Sequence, residues 1–400
     1  MPRVTSVPSD TRDAYPLLHL ASLMALFVVG LYASAFGPVL PFISDDLGVS
    51  LDTAGLLLTA LFIGSIAASA TIALALHGQD TRRLTLVGLL AAICGVLLLG
   101  FARDWAVALV AGGMLGVGDG LIIAALHILM SVTSKDVPSA MSRLNLFFAL
   151  GAVTGPIWAG TILAATGERW IVYAGIAAFA AATFVVLFLA SGPPHEQIAA
   201  PDEEFRLPGN PTAWIMGVVL FLYVGAEFGL GAWVSSYTRE TAHAGVLVGA
   251  LLTSGYWGAL ATGRVVSHAY FTRGGESTAM LAGAVAGAGI AALALSLSSG
   301  IIAVAAMSAF AAGLFLGPVW PTTMAIASEG SMANATAATV TMGNAGGVAI
   351  PWLQGKVLVG AGPTQGVAVT AVLCGIMFAI VAAFRSRRGR VPAAVVVEDR

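Results

Sequence analysis

Two acidic residues, Asp119 and Glu227, lie in the middle of long apolar stretches of the chain. Asp119 belongs to the string GVGDGLIIAALH, and Glu227 belongs to the string LYVGAEFGLGAW. A carboxylate at bilayer depth is costly unless it is paired, hydrated or neutralised, so it marks a functional pathway by default. A carboxyl group can carry a proton in its neutral form and release it when water reaches it. We therefore predict proton handling at both positions.

Each acid shares a helix face with other candidate groups. Asp119, Ile123 and His127 recur every four residues and so lie on one face. His127 is either a second ionisable group of the pathway or a packed interface residue. Glu227 shares its face with Tyr223. The alternative for both acids is structural: Asp119 bonded to a neighbouring helix, and Glu227 stabilising the interface between two halves.

Polar and aromatic side chains in other apolar segments complete a predicted substrate pocket, together with His127 and Tyr223. They are Asn145, Tyr256, Trp257, Trp320, Asn344, Trp352 and Gln354. Hydrogen-bonding groups and aromatic rings suit a hydroxyl-rich ligand such as a sugar, and they suit flat amphipathic drugs nearly as well. Each aromatic residue alone is equally explained by packing or by the interfacial belt. The set predicts a site only if its members converge in space.

Composition excludes a soluble globular domain. The chain is 58% hydrophobic and 10% charged, whereas a soluble domain carries about 25% charge. The 48 glycines suit closely packed membrane helices. There is no basic cluster of nucleic-acid type, no GxxxxGK[ST] loop and no Cys/His ligand cluster, so we expect no nucleic acid, no direct ATP coupling, no metal and no cofactor.

An enzymatic alternative rests on the GxGD string at 116–119, which occurs in intramembrane aspartyl proteases. Those enzymes need a second membrane-embedded aspartate facing the first, and no other aspartate lies in the middle of an apolar segment. We therefore predict that the protein is not an enzyme.

Twelve apolar segments are long enough to cross a bilayer, which takes about 20 residues. They fall near 16–40, 51–76, 84–101, 105–131, 142–166, 170–190, 213–237, 245–270, 278–297, 300–327, 333–359 and 363–384. The first continues too far for a signal peptide. We predict a cytoplasmic N-terminal segment (1–15), two six-helix bundles (16–190 and 213–384), a cytoplasmic linker (191–212) and a cytoplasmic tail (385–400).

The basic residues predict the orientation of the chain. With the N-terminus inside, only Arg103, Arg169, Arg239 and Lys356 fall outside, and the other fourteen, including Arg264, fall inside. This positive-inside bias predicts a multi-pass protein of the cell membrane with both termini in the cytoplasm.

The two halves are related in sequence. PIWAGTILAATG from Pro156 aligns without gaps to PWLQGKVLVGAG from Pro351, an offset of 195 residues. The same offset pairs Gly30 with Gly225 and Gly118 with Gly313, and both pairs are weak evidence because glycine is abundant in this chain. Parallel repeats joined by a cytoplasmic linker are the architecture of major facilitator transporters, whose substrate site lies at the repeat interface.

The chain resembles the major facilitator superfamily over 15–385. The resemblance rests on GPVLPFISDDLGVS, on GAVTGPIWAG and on GQDTRRL, a worn form of the signature between the second and third helices. In that signature Asp80, Arg82 and Arg83 survive, and the resemblance implies a gating role for them. FLYVGAEFGLGAWVSSY, GYWGALATGR and GLFLGPVWPT further resemble the fucose–galactose–glucose:proton symporter branch. Its helix-one acid has no counterpart in LFVVGLYASAFGPVLP.

We therefore expect an all-α membrane protein with the major facilitator fold, twelve transmembrane helices in two six-helix parallel pseudo-repeats. The expected function is alternating-access uptake of a sugar or similar small polar solute, driven by protons at Asp119 and Glu227, by a monomer in the lipid bilayer. The sequence does not distinguish sodium from a proton as the coupling ion. One alternative is proton-antiport efflux of amphipathic compounds, favoured by the GxxxGP string at 151–156. The other is a non-transporting membrane sensor or scaffold.

Overall fold

The fold is entirely helical in the part of the chain that can be described. A computed structural model describes residues 15–75, 80–191, 210–298, 300–328 and 332–388. Its helices are α1 Pro16–Leu47, α2 Leu51–Ala54, α3 Leu56–Ala75, α4 Thr81–Phe101, α5 Trp105–Thr133, α6 Val137–Thr166, α7 Arg169–Leu189, α8 Pro211–Ala242, α9 Val246–Phe271, α10 Ser277–Ser296, α11 Ile302–Leu316, α12 Val319–Ala327, α13 Met332–Ala361 and α14 Pro363–Arg388.

The predicted polar segments are mostly not described. Nearly all of 1–15, most of the linker 191–212 and the tail beyond residue 388 lie outside the described residues. The domain boundaries drawn there stay predictions.

These helices form twelve membrane spans, because two spans consist of two consecutive helices. α2 and α3 form the second span, separated at Gly55, and α11 and α12 form the tenth, separated at Gly317 and Pro318. Pro318 has no N–H group with which to continue the hydrogen-bond ladder of α11. In the described residues, eleven spans are long and apolar enough to cross a membrane. The remaining one is the 30-residue α13, which contains more Asn and Thr. Twelve transmembrane helices are thus confirmed.

Local sequence explains where many spans begin and end. Asp80, Asp104 and Asp136 accept hydrogen bonds from backbone N–H groups in the first turns of α4, α5 and α6, which satisfies donors that a helix start leaves unpaired. Gly48 ends α1 and Gly167 ends α6 in the left-handed conformation, with φ of 62° and 72°. Glycine adopts this conformation without a Cβ clash.

Glycines bring the helices of each half into backbone contact. A Cβ at Gly151 of α6 would overlap the carbonyl oxygen of Phe27 in α1. In the second half, a Cβ at Gly346 of α13 would overlap the carbonyl oxygen of Phe221 in α8. Gly151 and Gly346 differ by the predicted offset of 195 residues. The same close approach therefore occurs at equivalent positions of both halves.

The predicted pairing of Gly118 with Gly313 is wrong. Gly118 faces Gly88 of α4, whereas Gly313 faces the carbonyl of Tyr256 in α9. The structural counterpart of Gly313 is Gly116, which lies against the carbonyl of Leu61 in α3. Leu61 and Tyr256 keep the 195-residue offset, so the register of the fourth span differs from that of the tenth by two residues. Because glycine is abundant in this chain, the ungapped match of Gly118 with Gly313 did not identify equivalent positions.

Arg169 fastens three helices together at one end of the first half. Its Nε donates to Oδ2 of Asp46, at the end of α1, over 2.6 Å. Its two terminal nitrogens donate to the carbonyls of Leu99 and Ala102, at the end of α4. The side chain is almost fully buried. A planar guanidinium with five donors can satisfy a carboxylate and helix-end carbonyls at once.

The two ends of the bundle differ in how the halves meet. We call the end with the short turns 48–50, 102–104, 167–168, 243–245 and 362 the short-loop end, and the end where α1 begins and α14 finishes the terminal end. The halves contact each other from mid-span to the short-loop end. Thr59 donates to the carbonyl of Val348, and Ser254 donates to that of Val153, each over 2.7 Å.

Toward the terminal end the same helix faces are exposed. Gly160 and Val153 of α6 face α9, and the same stripe continues one and two turns further to Leu150 and Leu146, which are 45% and 53% exposed. On α9 the facing stripe continues to Val265, which is 69% exposed. The halves are therefore closed at the short-loop end and separate at the terminal end.

Candidate functional site

Three aromatic side chains pack together near mid-span at the seam, which is the interface between the two halves. Phe62 of α3 and Phe228 of α8 meet edge to face with ring centroids 4.8 Å apart. Trp257 of α9 packs against Phe228 at 5.6 Å. Phe62 and Trp257 are equivalent under the 195-residue offset. We call the contact of Phe62, Phe228 and Trp257 the aromatic constriction. Phe62 and Trp257 contribute to it from the same position in each half.

A narrow cleft, too small to admit a water molecule, adjoins this constriction. Its lining residues are Ala33, Phe36, Gly37, Leu58, Phe228, Gly231, Ala232 and Trp257. The three from α1 and the three from α8 match pairwise at the 195-residue offset. The pseudo-twofold axis therefore passes through this point, where a major facilitator fold places its substrate site.

Glu227 forms an ion pair with Arg264 of α9. Nη2 of Arg264 lies 3.2 Å from Oε1 of Glu227. The Glu227 side chain is 4% exposed and the Arg264 side chain is 27% exposed. Arg264 begins about 10 Å before the end of α9, at 1.5 Å per residue, and its side chain extends toward mid-span. The charge of each group is compensated by the other, as burial requires.

Sequence reasoning missed this pair because it assigned Arg264 to the cytoplasmic side. In the structure Arg264 lies inside α9, within the predicted segment 245–270, and its side chain reaches Glu227. A signal was present in its spacing from Trp257, since a seven-residue separation places both side chains on one helix face.

Aromatic residues predicted for the pocket surround the ion pair. The Tyr256 hydroxyl donates to the backbone carbonyl of Glu227 over 2.9 Å. Tyr223 is fully buried one turn before Glu227, and its ring lies 6.4 Å from that of Trp320. The structure thus brings together Tyr223, Glu227, Tyr256 and Trp320 from α8, α9 and α12. Trp257 belongs to the constriction beside them.

Asp119 lies in the other half, bonded to Ser65 of α3. The Ser65 hydroxyl donates to Oδ2 of Asp119 over 2.7 Å. Ser65 follows Phe62 by one helical turn on the side of the terminal end, and Glu227 precedes Phe228 on the same side. Each acid therefore lies within about one turn of the Phe62–Phe228 contact. Asp119 is partly exposed.

Tyr32 of α1 also approaches this acid. Its hydroxyl donates to the carbonyl of Leu115, one turn before Asp119 on α5. Tyr32 is the 195-residue counterpart of Glu227. The repeat thus offers a buried phenol in one half where the other half carries the ionisable acid.

His127 and Asn145 lie further toward the terminal end. Nδ1 of His127 is 2.7 Å from the carbonyl of Ile123 in its own helix, and the ring is partly exposed. Asn145 is exposed, and its amide donates to the Met141 carbonyl over 2.9 Å. Neither residue contacts the ion pair. Both lie at depths where the halves have separated.

The three predicted residues of α13 are distributed along the helix. Asn344 is partly buried one turn from Val348, on the face toward α3. Gln354 is fully buried, with its amide nitrogen 3.2 Å from Oγ1 of Thr370 in α14. Trp352 lies near the short-loop end, with the ammonium of Lys356 5.7 Å from its ring centre. The set does not converge as a whole.

The residues predicted to gate are anchored within the first half. Asp80 caps α4 through the N–H groups of Arg82 and Arg83, and its carboxylate lies 3.6 Å from Nε of Arg83. Arg82 donates to the carbonyl of Leu187 at the end of α7 over 3.1 Å. Arg82 thus links α4 to α7 at the terminal end, while Asp80 and Arg83 interact only within the first turn of α4. Their role in gating stays a prediction.

An ion pair that was not foreseen from sequence joins the halves at the short-loop end. Nζ of Lys356 in α13 lies 2.9 Å from Oδ2 of Asp52 in α2. The Asp52 side chain is 8% exposed and the Lys356 side chain is 54% exposed. Nearby, the Arg239 guanidinium lies 5.5 Å above the Phe42 ring, which also links the halves.

Metal coordination has no support in the described residues, where no group of three or more His, Cys, Asp or Glu side chains could hold an ion. Cys94 and Cys374 are free thiols.

Comparison with known proteins places this architecture in a family. The model described as Major Facilitator Superfamily matches residues 22–351. The chain belongs to the major facilitator superfamily, a family of non-enzymatic secondary transporters. It is a multi-pass membrane protein.

Individual relatives agree with this assignment. The chain is 27% identical over 197 residues to Bypass of stop codon protein 6 of Saccharomyces cerevisiae, covering 46% of this chain and 39% of that protein. It is 27% identical over 196 residues to the Acurin A biosynthesis cluster MFS-type transporter of Aspergillus aculeatus, covering 47% and 34%. The matches thus span less than half of either curated relative.

A solved structure of similar fold is that of a POT family transporter in complex with 5-aminolevulinic acid. It superposes with a TM-score of 0.78 at 12% identity, over 96% of this chain and 97% of that chain. This likeness concerns the fold alone. The narrower resemblance to the fucose–galactose–glucose:proton symporters is not supported by these relatives, which are fungal transporters.

Proposed function

We propose that the protein is a proton-coupled transporter that moves a sugar or similar small polar solute into the cell by alternating access. Asp119 and Glu227 are the groups that take and release the proton. The observation that carries this proposal is their common depth: one acid from each half lies beside the Phe62–Phe228 constriction. A carboxyl group at bilayer depth, next to the point where water access alternates, is suited to proton coupling.

The shape of the molecule agrees with an alternating-access cycle. Contacts at the short-loop end, among them Thr59 with Val348 and Asp52 with Lys356, close one side. The terminal end is open, and the basic residues assign that end to the cytoplasm. The proposed state is therefore inward-open. In this state both acids exchange protons with the cytoplasm, and the solute enters or leaves the site from the same side.

Polar and aromatic groups around Glu227 favour a polar solute. Tyr223, Tyr256 and Trp320 offer rings and hydroxyls beside a charged pair. A hydroxyl-bearing ring could stack on the aromatic faces while its hydroxyls bond to polar groups. Alternating access moves such a solute past the aromatic constriction when the halves rock about the seam.

A second candidate is proton-antiport efflux of amphipathic compounds. Gly151 and Gly155 of the GxxxGP string pack directly against the backbone of α1. The string therefore forms a tight contact between α1 and α6. The relative from Aspergillus aculeatus is named for a biosynthesis cluster, which suits export of a product. Both candidates use the same acids.

Transport by purified protein in liposomes separates the candidates. An inward proton gradient should concentrate sugars if the protein is a symporter, whereas a hydrophobic cation should release protons if it is an exporter. Asp119→Asn and Glu227→Gln, each alone, should abolish accumulation while exchange at equal concentrations persists. Asp136→Asn, which alters only a helix cap, is the control. Accumulation by both acid variants at the parental level would refute the assignment.

A further inference from the structure

Arg264 has bonding capacity that Glu227 does not use. One terminal nitrogen bonds to Glu227, and the buried Nε has no hydrogen-bond partner among the described residues. The side chain is 27% exposed although it lies within a membrane span. A guanidinium presents a planar fork of donors that matches a carboxylate in two parallel bonds.

Arg264 lies on the face of α9 that also meets the other half. Trp257 lies two helical turns earlier on this face, and it lines the cleft between the halves. From there the α9 face continues toward the open terminal end. A solute that enters from that end therefore reaches Arg264 before it reaches the aromatic constriction.

Protonation of Glu227 leaves Arg264 without its counter-charge. Arginine stays charged under all ordinary conditions, and an unpaired buried charge is strongly destabilising. The groups facing Glu227 are Tyr223 of α8, Tyr256 and Arg264 of α9 and the ring of Trp320, with the Cys374 thiol of α14 near Tyr256. None of these is a second carboxylate. When Glu227 is neutral, binding of an external anion beside Arg264 is therefore favourable.

We infer that Arg264 is the anchor for a carboxylate group on the substrate. This inference rests on the proposed function and narrows its substrate to a polar monocarboxylate, such as a sugar acid. When Glu227 takes a proton, its bond to Arg264 is released and the substrate carboxylate takes its place. The charge of the site is zero before and after, so the proton and the anion enter together.

One carboxylate matches the site better than a doubly charged phosphate. Arg264 is the single cation that contacts the cluster in the described part of the chain. A monocarboxylate replaces the charge of Glu227 one for one, whereas a dianion would leave a net negative charge at bilayer depth, which is costly. The surrounding phenols and indole then contact the remainder of the solute.

Binding to the purified full chain in nanodiscs tests this inference. The probes are galacturonate and galactose, which differ only in a carboxylate against a hydroxymethyl group, together with acetate as the minimal carboxylate. Affinity is followed by tryptophan fluorescence and by the shift in thermal stability. Glu227→Gln should bind galacturonate or acetate about tenfold or more tightly than the parent at neutral pH. Adding Arg264→Gln to that variant should abolish the gain.

Glu240→Gln provides the matched control, because Glu240 is an exposed acid near the end of the same helix. It should bind all three probes like the parent. Equal carboxylate affinity in the parent and Glu227→Gln overturns the inference. So does a gain that survives Arg264→Gln, or a gain that galactose shows equally.

Failure of this inference differs from failure of the proposed function. If galactose accumulates with protons and Glu227→Gln gains no carboxylate affinity, the anionic substrate is refuted and proton-coupled sugar uptake stands. If Glu227→Gln gains carboxylate affinity through Arg264 but both acid variants accumulate solute like the parent, the site stands and the proton-coupling assignment falls.

Discussion

Arg264 lies 3.2 Å from Glu227 in the interior of the second half, and the two residues are unequally shielded from solvent. The carboxylate is 4% exposed, whereas the guanidinium is 27% exposed. Removing one partner of a buried pair is far more damaging than removing both. Loss of either charge should therefore lower the stability of the second half.

This asymmetry predicts different stabilities for the two single variants. Arg264→Gln leaves a buried carboxylate and should lower the free energy of unfolding by about 3 kcal/mol. Glu227→Gln should cost less, because Arg264 retains partial access to water. The double variant should recover stability relative to Arg264→Gln without recovering accumulation. Thermal unfolding in detergent, followed by tryptophan fluorescence, measures this. A double variant less stable than both single ones would contradict the pairing.

The ion pair between Asp52 and Lys356 should act as a latch on the short-loop end. Exposed pairs contribute about 0.2–1 kcal/mol, and the burial of Asp52 places this one toward the upper limit. Asp52→Asn or Lys356→Gln should therefore raise the population open at that end by up to about fivefold. Labelling of a cysteine at Thr59 with a membrane-impermeant reagent reports the opening.

A double-variant cycle separates the latch from other effects of these substitutions. Asp52→Asn combined with Lys356→Gln should increase labelling no further than either change alone, since each alone already removes the bond. Additive increases would show that the residues act independently. Arg103→Gln, an exposed residue at the same end, is the control.

Arg169 should be a major contributor to the stability of the first half. Its substitution by Gln removes bonds to Asp46 and to the last carbonyls of α4. Hydrogen bonds that involve a charged group each contribute about 1.5–3 kcal/mol, and part of this is lost to solvent at the half-exposed Asp46. A loss of about 3 kcal/mol or more is expected, chiefly from the two buried bonds to the α4 carbonyls. Arg169→Lys should restore only part of it, because an ammonium lacks the planar fork. Stability equal to that of the parent would refute this role.

Two glycines of α5 should respond in opposite ways to alanine. A Cβ at Gly116 would overlap the Leu61 carbonyl, whereas a Cβ at Gly113 meets nothing within 4 Å. Gly116→Ala should therefore cost about 1–3 kcal/mol, as overpacking does. Gly113→Ala should be neutral or slightly stabilising, because alanine favours helix. The two variants share one helix and one chemical change, so their melting temperatures can be compared directly. Equal melting temperatures would contradict the close approach of α3 and α5.

The sequence predicted most of the spans closely, because a membrane-spanning helix requires a continuous run of apolar residues. The predicted segment at 105–131 became α5 Trp105–Thr133, and that at 363–384 became α14 Pro363–Arg388. The interruptions at Gly55 and at Gly317 were not predicted, since a window of about 20 residues averages over them. Hydropathy finds the length of a span but not its breaks.

The candidate acids were identified by sequence alone, because a carboxylate in an apolar run stands out from its neighbours. Their partners were not. Ser65 is an ordinary small residue in its segment, and Arg264, within the predicted segment 245–270, contributed only to the predicted orientation. Only the packing of α3 against α5, and of α8 against α9, brings these side chains to Asp119 and Glu227.

Sequence by itself determined that this chain is a bundle of twelve membrane helices in two related halves, since apolar length, basic residues and repeats are local properties. The tertiary structure decided which charges are paired, which end of the seam is closed and which aromatic residues form the constriction. Those properties depend on atoms from distant parts of the chain approaching within a few ångströms. Glycine register, helix breaks and side-chain reach set that approach, and no single segment contains them.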